Sequence, residues 1–475
     1  MASQTRKITL DTAALFFGRA VGLLLGIVRL NYLATYLGVA SFGILNFATY
    51  FTALFQSLFD LGMSQLMTRE ISRDPSRSGE LLGKAVVLKL LIVCIASILV
   101  GCVTLISGFD RVTNWAVLLT TVALAINGVS TMFLSSFQAH RKMITVSIAN
   151  IANDVIVSVA VILMIPNFPS VITALVLTVV VSLINLGILI RVYYQSVGRP
   201  NYQANRESWR LMLKEGTPMA VSALGISTYT FIGPTVLKYT RGETEVGLYS
   251  AGYKLISILT LIPVTFTQVV YPIFADFYAN APQKLGKALR DALRVMSLIS
   301  FPLAVGTFIL APKIISTLYP GEFSGAAVVL QLIILGNALG YLSQILYSFL
   351  LALNKQTACM IDLLSVAIAV TIGSLVFVPT FGYEAVALIF MLTDIALFLS
   401  LFYLTFRTGH HVGQFSAFVR ILVAALVMGG VLLLVRDWYP VLSIPIGCCV
   451  YAAMLFALRV FGDQETELLN KLIIR

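Results

Sequence analysis

The sequence LDTAALFFGRAVGLLLGIVRLNYLATYLG (residues 10–38), followed directly by VASFGILNFATYFTALFQSLFDLGMSQLMTREISR (residues 39–73), decides the fold. Each half contains an apolar run of more than about 20 residues, long enough as a helix to cross the core of a bilayer. The first run nevertheless carries Arg19 and Arg29, and the second carries Asp60. A charge at that depth costs at least about 2.5–3.5 kcal/mol, so it normally faces a bundle interior or a hydrated cavity. The stretch therefore predicts two membrane helices that form part of the wall of a transport path.

The composition of the whole chain agrees with a membrane protein. Of its 475 residues 59% are hydrophobic and only 11% are charged, and the mean hydropathy is +0.93. Soluble domains have about 25% charged residues. The net charge of +11 lies mainly in short loops between apolar stretches, so we attribute it to membrane topology and expect no nucleic-acid partner.

Apolar stretches separated by polar or Pro/Gly-marked turns predict about 14 membrane-spanning helices. Their limits are 12–36, 42–68, 81–106, 113–138, 144–165, 171–194, 216–239, 247–272, 291–311, 325–352, 357–378, 382–405, 419–435 and 441–460. With a cytoplasmic N-terminus, the cytoplasmic segments hold 23 Lys and Arg residues and the external segments hold 5. The positive-inside rule therefore places both termini in the cytoplasm.

The longest polar stretch, residues 191–216, separates six predicted spans from the next six. We therefore predict an N-lobe over 1–195, a cytoplasmic linker over 196–215, a C-lobe over 216–406, and two extra helices with a cytoplasmic tail over 407–475. A short internal repeat supports two lobes: Tyr36-Leu37-Gly38 and Phe42-Gly43-Ile44-Leu45 recur as Tyr239-Thr240-Arg241 and Val246-Gly247-Leu248-Tyr249. An even number of spans per lobe makes the repeats parallel, which predicts an all-α polytopic fold with a pseudo-twofold axis along the membrane normal.

The charges within spans fall into layers by depth. Arg19, Asp60 and Lys89 each lie roughly 10–13 Å from the cytoplasmic end of their spans, so Asp60 could pair with either cation. Arg29 and Lys254 lie at a similar distance from the external end, and neither has an obvious acidic partner within its span. Because an uncompensated buried cation is costly, these positions suit an anionic ligand such as a diphosphate. Snorkelling to the interface is the alternative explanation.

Two acidic residues and four helix-bending residues complete the candidate site. Asp154 and Asp394 lie near mid-span, one per lobe, where a carboxylate could bind H⁺ or Na⁺ as a coupling ion or could form a local pair. Gly22 and Gly26 in the first span, and Gly233 and Pro234 in the seventh, could act as hinges. Close helix packing is the alternative role for the glycines.

Motifs for catalysis are absent from the sequence. The nearest match to a phosphate-binding loop is GELLGKA (residues 79–85), which is one residue short and lacks the Ser or Thr after the lysine. We therefore expect neither an enzyme nor a cofactor, and no transport driven by ATP bound to this chain.

Two stretches of the sequence resemble one family of transporters. The run YLGVASFGILNFATYFTALFQSLFDLGMSQLMTREISRD (residues 36–74) resembles the N-terminal signature of bacterial polysaccharide-biosynthesis flippases, the Wzx-type exporters of O-antigen and exopolysaccharide units. The runs LKEGTPMAVSALG (213–225) and GLYSAGYKLISILTLIPVTFTQVVYPIFAD (247–276) are similar to the seventh and eighth spans of the same family.

This resemblance implies the fold of the multidrug/oligosaccharidyl-lipid/polysaccharide (MOP) exporter superfamily, with two six-helix lobes around a central cavity. It implies transfer of undecaprenyl-diphosphate-linked oligosaccharides across a bacterial cytoplasmic (inner) membrane, with membrane lipids and a polysaccharide polymerase as further partners. It also points to Arg19, Arg29 and Lys254 as cavity cations. Many relatives carry an acid in the seventh span where this chain has Gly233 and Pro234, so a shared ion-coupling scheme does not follow.

Three other functions compete with this interpretation. A multidrug antiporter of the same superfamily would need an acidic cavity for cationic drugs, whereas basic residues predominate here. A flippase for the lipid-linked peptidoglycan precursor differs little from the favoured function at the level of sequence. A membrane glycosyltransferase or polymerase would usually need a large extramembrane loop or a carboxylate cluster, and the sequence has neither.

Overall fold

The computed structural model describes residues 2–202, 206–409 and 415–460, with the backbone alone at 2–21, 23, 24, 218, 219, 222 and 415. Within these residues the chain forms fifteen α-helices and no β-strand. It divides into two compact units, Met1–Gly247 and Leu248–Arg475.

The helices of the first unit are long and apolar. They are α1 (Ala2–Leu54), α2 (Gln56–Asp60), α3 (Met63–Arg73), α4 (Ser78–Ile106), α5 (Arg111–Ala139), α6 (Met143–Met164), α7 (Val171–Ser196) and α8 (Arg206–Arg241). The chain bends within α1 at Gly38, whose φ of 73° favours glycine, so the first two predicted spans are joined without a loop.

The second unit continues with α9 (Glu243–Leu259), which begins in the first unit, and then α10 (Leu261–Asn280), α11 (Pro282–Leu318), α12 (Ala326–Ala352), α13 (Gln356–Arg407), α14 (Phe415–Leu434) and α15 (Pro440–Ala457). The chain bends again within α13, at Gly382 with φ 63°. Helix α13 therefore contains two of the predicted spans, 357–378 and 382–405.

Eleven segments of the described residues are long and apolar enough to cross a membrane. The predicted spans 12–36 and 216–239 lie in α1 and α8, parts of which are described by their backbone only. The predicted class is confirmed: the chain is an all-α, multi-pass membrane protein.

Helix α8 groups with the first unit. The predicted lobe boundary lies at 196–215, whereas the first compact unit extends to Gly247. The start of α8 packs on α3, where Gly216 lies so close to the carbonyl group of Leu61 that an added Cβ would come within 2.1 Å of the carbonyl oxygen. Arg69 of α3 also forms an ion pair with Glu215. The predicted boundaries of the lobes stay a prediction.

The core of the first unit explains how its helices are held. Leu66 and Met67 of α3, Phe133 of α5, Tyr193 of α7 and Met212 of α8 belong to one buried apolar cluster. Because α3 contributes one face to this cluster, its opposite face is left for polar side chains.

The linker after α7 packs on the first turns of α4. The backbone N–H of Asn201 donates to the carbonyl oxygen of Gly79 at 2.9 Å, and a Cβ on Gly83 would lie 2.0 Å from the carbonyl oxygen of Asn201. The indole N–H of Trp209 then donates to the carbonyl oxygen of Lys84 at 3.1 Å. The glycines of the GELLGKA segment therefore admit the linker backbone.

Asp110 caps the N-terminus of α5 and is expected to contribute to the stability of the fold. The Asp110 carboxylate accepts hydrogen bonds from the backbone N–H groups of Val112 and Thr113, at 3.1 Å each. Partial burial opposes its ionisation, but a hydrogen bond from the Thr113 hydroxyl, these backbone bonds and the nearby Lys238 outweigh that effect and hold the pKa of Asp110 below its usual range. A carboxylate with a lowered pKa stabilises the fold at pH values above its unfolded pKa, and this contribution is lost as the pH falls through the folded pKa.

Asp110→Ala is expected to destabilise the protein by about 1 kcal/mol, because the first turn of α5 loses its cap. Asp110→Asn is the matched control, since asparagine caps nearly as well but carries no charge. Thermal unfolding in detergent at neutral pH should rank wild type, Asn and Ala in order of falling melting temperature. Equal melting temperatures for the Ala variant and wild type would contradict the capping role.

Candidate functional site

Helix α3 carries a polar face. Ser64, Gln65, Thr68, Arg69 and Ser72 recur at the helical spacing that places them along one side. This side faces α5 across an open cavity of about 500 Å³, which we call the polar cleft. Its lining consists of Ser64, Gln65, Thr68, Arg69, Ser72, Thr131, Leu134, Ser135 and Gln138.

The chemistry of the polar cleft is that of neutral hydrogen-bonding groups. Five of its nine lining residues bear hydroxyl groups, two bear amides, and Arg69 supplies the cation. Arg69 forms ion pairs with Glu70 and Glu215, which neutralise its charge. Such a surface suits a hydroxyl-rich ligand, because hydroxyls and amides both donate and accept hydrogen bonds.

A buried ion pair lies next to the polar cleft. The ammonium group of Lys89, on α4, lies 2.8 Å from the carboxylate of Asp60 at the end of α2. The Lys89 side chain is fully buried, whereas that of Asp60 is 35% exposed. The Ser64 hydroxyl donates to the same Asp60 oxygen at 2.5 Å. Because Ser64 also lines the cleft, the ion pair is connected to the cleft surface through one hydroxyl group.

A break in the helix positions Asp60. Leu61 and Gly62 have φ values of 45° and 70°, which end α2 and start α3 in a new direction. Left-handed residues of this kind cost free energy unless glycine occupies them, and Leu61 is a non-glycine residue in that region. The break aims the last residue of α2 at α4, which is how Asp60 reaches Lys89.

A second charged group lies between α1 and α6. Asp154, on α6, packs against Gly22, where an added Cβ would lie 2.6 Å from a carboxylate oxygen. Arg29 lies two turns further along the same side of α1, half-buried, and the charge of Asp154 acts on it. An acid from another helix thus faces Arg29, although none was evident within its own span.

In the second unit the structure places two predicted residues. Lys254 is half-buried on α9, next to Tyr253, whose ring stacks on Tyr249 at 5.7 Å. Asp394 is buried on α13, and its carboxylate accepts a long hydrogen bond, 3.4 Å, from the side-chain amide of Asn337. It also packs against Gly340, where a Cβ would lie 3.0 Å from its oxygen.

The remaining predicted residues are placed less completely. Arg19 lies in α1, and its side chain is outside the described residues. A Cβ on Gly26 would meet no atom within 4 Å, so Gly26 faces open space. Gly233 and Pro234 are buried within α8. The proposed roles of all these residues in substrate binding, ion coupling and bending stay predictions.

The polar cleft was missed at the level of sequence. Its signal is present there, because Ser64, Gln65 and Thr68 bring three polar side chains together at the end of the predicted span 42–68. The partner stripe on α5 is weaker, since serine and threonine are common in membrane helices and hydrogen-bond to their own backbone. Within the described residues no group of three His, Cys, Asp or Glu side chains could hold a metal ion.

Apolar helices that enclose a polar cleft and a buried ion pair are typical of membrane transport proteins. The family model described as "Polysaccharide biosynthesis protein" matches residues 8–278. The chain belongs to this family, within the MOP superfamily of flippases and transporters. The predicted family is therefore confirmed, and with it the prediction of a transporter rather than an enzyme.

Solved structures share the fold. The lipid II flippase MurJ, in an inward closed conformation, has 17% sequence identity and a TM-score of 0.78, with 98% of this chain and 100% of MurJ covered. An inward-facing multidrug resistance MATE family transporter has 13% identity and a TM-score of 0.66, covering 84% and 98%. A MOP superfamily transporter from Pyrococcus furiosus has 13% identity and a TM-score of 0.61, covering 84% and 94%. None of the curated proteins compared with the chain matches it.

Proposed function

We propose that the protein is a flippase that moves undecaprenyl-diphosphate-linked oligosaccharides from the cytoplasmic to the outer leaflet of a bacterial cytoplasmic membrane. Both termini and the linker would lie in the cytoplasm, as the distribution of Lys and Arg indicates. The substrate would pass by alternating access, with the polyprenyl chain remaining in lipid. The product would feed a polysaccharide polymerase on the outer side.

The observation that carries this proposal is the polar cleft. A pocket of about 300–1,000 Å³ is the usual size for a small-molecule site, and the cleft, at about 500 Å³, is lined by seven neutral polar residues among nine. Moving sugar hydroxyls through hydrocarbon strips them of water at a cost of several kcal/mol for each group. A surface of hydroxyls and amides at membrane depth replaces those lost hydrogen bonds.

The charged residues supply the second requirement of this substrate. A diphosphate needs cations that form charge-assisted hydrogen bonds with its oxygens, and arginine and lysine both do so. We assign this role to Arg29 and Lys254, with Arg19 as a further cation; Lys89, which the sequence also suggested, is fully buried in its pair with Asp60. Asp154 and Asp394 would carry a coupling H⁺ or Na⁺, with Asp60 as the charge partner of Lys89.

A second candidate is a flippase for the lipid-linked peptidoglycan precursor. It is favoured by the likeness to MurJ, which extends over 98% of this chain. The likeness to the MATE transporter covers 84%. This difference in coverage supports a flippase over a multidrug antiporter. The two flippase functions differ in the group attached to the diphosphate, a pure oligosaccharide or a sugar bearing a peptide.

The test is flipping by the purified protein in liposomes, with a fluorescent undecaprenyl-diphosphate oligosaccharide as substrate. Each neutral hydrogen bond contributes about 0.5–1.5 kcal/mol. The double variant Thr131→Val/Gln138→Leu, which removes two polar groups of the cleft, is therefore expected to lower the rate about tenfold.

Thr120→Val is the matched control for the cleft variant. Thr120 lies on the same helix, and its hydroxyl donates to the carbonyl oxygen of Ala116 much as that of Thr131 donates to Gly128. It does not line the cleft, so its variant should flip at the wild-type rate. Normal flipping by the double variant would overturn the assignment of the cleft. Flipping of a peptide-bearing precursor alone would favour the second candidate.

A further inference from the structure

The charge of the polar cleft is set where α3 meets the start of α8. Arg69 is the one cation among the nine described residues that line the cleft. Its Nε atom lies 2.9 Å from a carboxylate oxygen of Glu70, the next residue on α3. Its Nη2 atom forms a second ion pair with Glu215, which reaches it from α8. Two carboxylates therefore contact the charged side chain of the cleft wall.

The two carboxylates are not equivalent, because Glu70 is shared between two arginines. The Glu70 oxygen that contacts Arg69 also lies 3.1 Å from Nη1 of Arg73, one turn further along α3. Arg73 does not line the cleft, and its side chain is 67% exposed. Within the described part of the chain, Glu215 forms an ion pair with Arg69 alone. Glu215 is therefore the counter-charge that belongs to the cleft arginine.

Packing on both sides of Glu215 holds it at this position. Met212, one turn earlier on α8, is buried in the apolar cluster to which α3 contributes. Gly216, the next residue, lies so close to Leu61 that an added Cβ would clash with its carbonyl oxygen. These contacts fix the backbone of α8 here whatever the charge of residue 215. Because an ion pair this exposed contributes little to stability, replacing the carboxylate with an amide should change the charge of the cleft and leave the fold intact.

The rest of the cleft adds no unbalanced charge. The buried ammonium group of Lys89, next to the cleft, is paired with Asp60, which accepts a hydrogen bond from Ser64 of the cleft wall. The α5 side of the wall is formed by neutral residues, namely Thr131, Leu134, Ser135 and Gln138. A ligand in the cleft therefore meets hydroxyls, amides and the N–H groups of a neutralised arginine.

Arg69 can still bind a ligand, as a hydrogen-bond donor whose charge is already compensated. Arginine has five N–H donors. In the described residues its bonds to Glu70 and Glu215 use one donor each, so three N–H groups remain for the oxygen atoms of a sugar. A carboxylate on the sugar would instead be repelled by the two glutamates. It would have to displace one of them to pair with Arg69.

We propose that Glu215 makes the polar cleft selective for uncharged sugars by neutralising Arg69. The ligand class is a neutral, hydroxyl-rich sugar unit, and a sugar with a carboxylate, such as a uronic acid, binds less well. Glu215 does not line the cleft, so it is a positioning residue that acts through Arg69. This inference rests on the proposed function, in which the cleft receives the oligosaccharide of the lipid-linked substrate.

The test compares two soluble probes that differ in one group. Cellobiose is neutral, and cellobiouronic acid has a carboxylate in place of one hydroxymethyl group. The affinity of each for the purified full-length protein in detergent is measured by NMR titration at neutral pH, and wild type should prefer cellobiose. Glu215→Gln should raise the affinity for the acid about tenfold, because Arg69 without its own counter-charge can form a charge-assisted hydrogen bond. The affinity for cellobiose should stay unchanged.

Glu207→Gln is the matched control, because it makes the same change of charge on the same helix at an exposed position outside the cleft. It should leave both affinities at the wild-type values, and Glu215→Asp, which keeps the charge, should keep the preference for cellobiose. In Arg69→Gln/Glu215→Gln the gain for the acid should disappear with the arginine. Added salt should weaken binding of the acid to Glu215→Gln and leave that of cellobiose unchanged.

The results distinguish a failure of the selectivity from a failure of the proposed function. An unchanged ratio of the two affinities in folded Glu215→Gln would overturn the role of Glu215, and so would a gain that survives the loss of Arg69. Flipping of the lipid-linked oligosaccharide is measured separately in liposomes. The expected shift in binding without flipping would support the role of Glu215 and count against the flippase, whereas flipping with an unchanged ratio would do the reverse.

Discussion

Replacing Asp60 with asparagine is expected to destabilise the protein more than any other single charge removal in the first unit. Its partner Lys89 is fully buried, so the variant leaves an ammonium group without a counter-charge in a low-dielectric interior. Loss of one partner of such a pair costs about 3–5 kcal/mol. Lys89→Met should cost less, about 1–2 kcal/mol, because Asp60 is 35% exposed and keeps the hydrogen bond from Ser64.

Thermal unfolding in detergent measures this asymmetry. The double variant Asp60→Asn/Lys89→Met should melt above Asp60→Asn alone, since the methionine removes the stranded charge. Asp437→Asn is the control, because its pair with Arg436 is exposed at both side chains and such pairs contribute little. Equal melting temperatures for Asp60→Asn and Lys89→Met would show that the pair is hydrated rather than buried.

Arg29→Ala is expected to lower flipping about ten- to a hundredfold without loss of protein from the membrane. Hydrogen bonds to a charged group contribute about 1.5–3 kcal/mol, and we assign Arg29 to the substrate diphosphate. Lys254→Ala should act in the same way. The charge-preserving exchanges Arg29→Lys and Lys254→Arg should retain part of the activity. Transport in the liposome assay, normalised to reconstituted protein, is the measurement.

A double variant with Asp154 distinguishes two possible roles of Arg29, binding the substrate diphosphate and neutralising Asp154. If Arg29 serves only to neutralise Asp154, then Arg29→Ala/Asp154→Asn should restore transport; if Arg29 binds the diphosphate, the double variant stays inactive. We expect the second result. Arg111→Ala is the matched control for an exposed basic residue and should flip normally. Normal transport by both Arg29→Ala and Lys254→Ala would refute the cationic site.

The depth of each charged residue along its span predicted some of the charge pairs. Asp60 and Lys89 lie at one depth, and the sequence named Lys89 as one of two partners for Asp60; the structure places the two 2.8 Å apart. Asp154 was not predicted to face Arg29, because depth says nothing about which side of a helix meets its neighbour. That relation depends on Gly22, whose missing side chain admits the Asp154 carboxylate beside α1.

Other features required three-dimensional packing to be seen. The repeat predicted two groups of helices, yet α8 packs with the first unit because Gly216 and Glu215 meet α3. A hydropathy pattern counts helices but does not report such contacts. The glycine repeat was visible in sequence, whereas the approach of Gly43 to Glu243 was not, since a glycine needed for space looks like one needed for flexibility.

The docking of the linker on α4 has a consequence for the order of synthesis. The hydrogen bond from Asn201 to Gly79 joins residues separated by the rest of α4 and by three further membrane helices, α5 to α7. The first turn of α4 therefore gains this contact only after all three have left the ribosome. The first unit is continuous in sequence and ends at Gly247. All of its residues are therefore translated before those of the second unit, and its internal contacts can form while the second unit is still being synthesised.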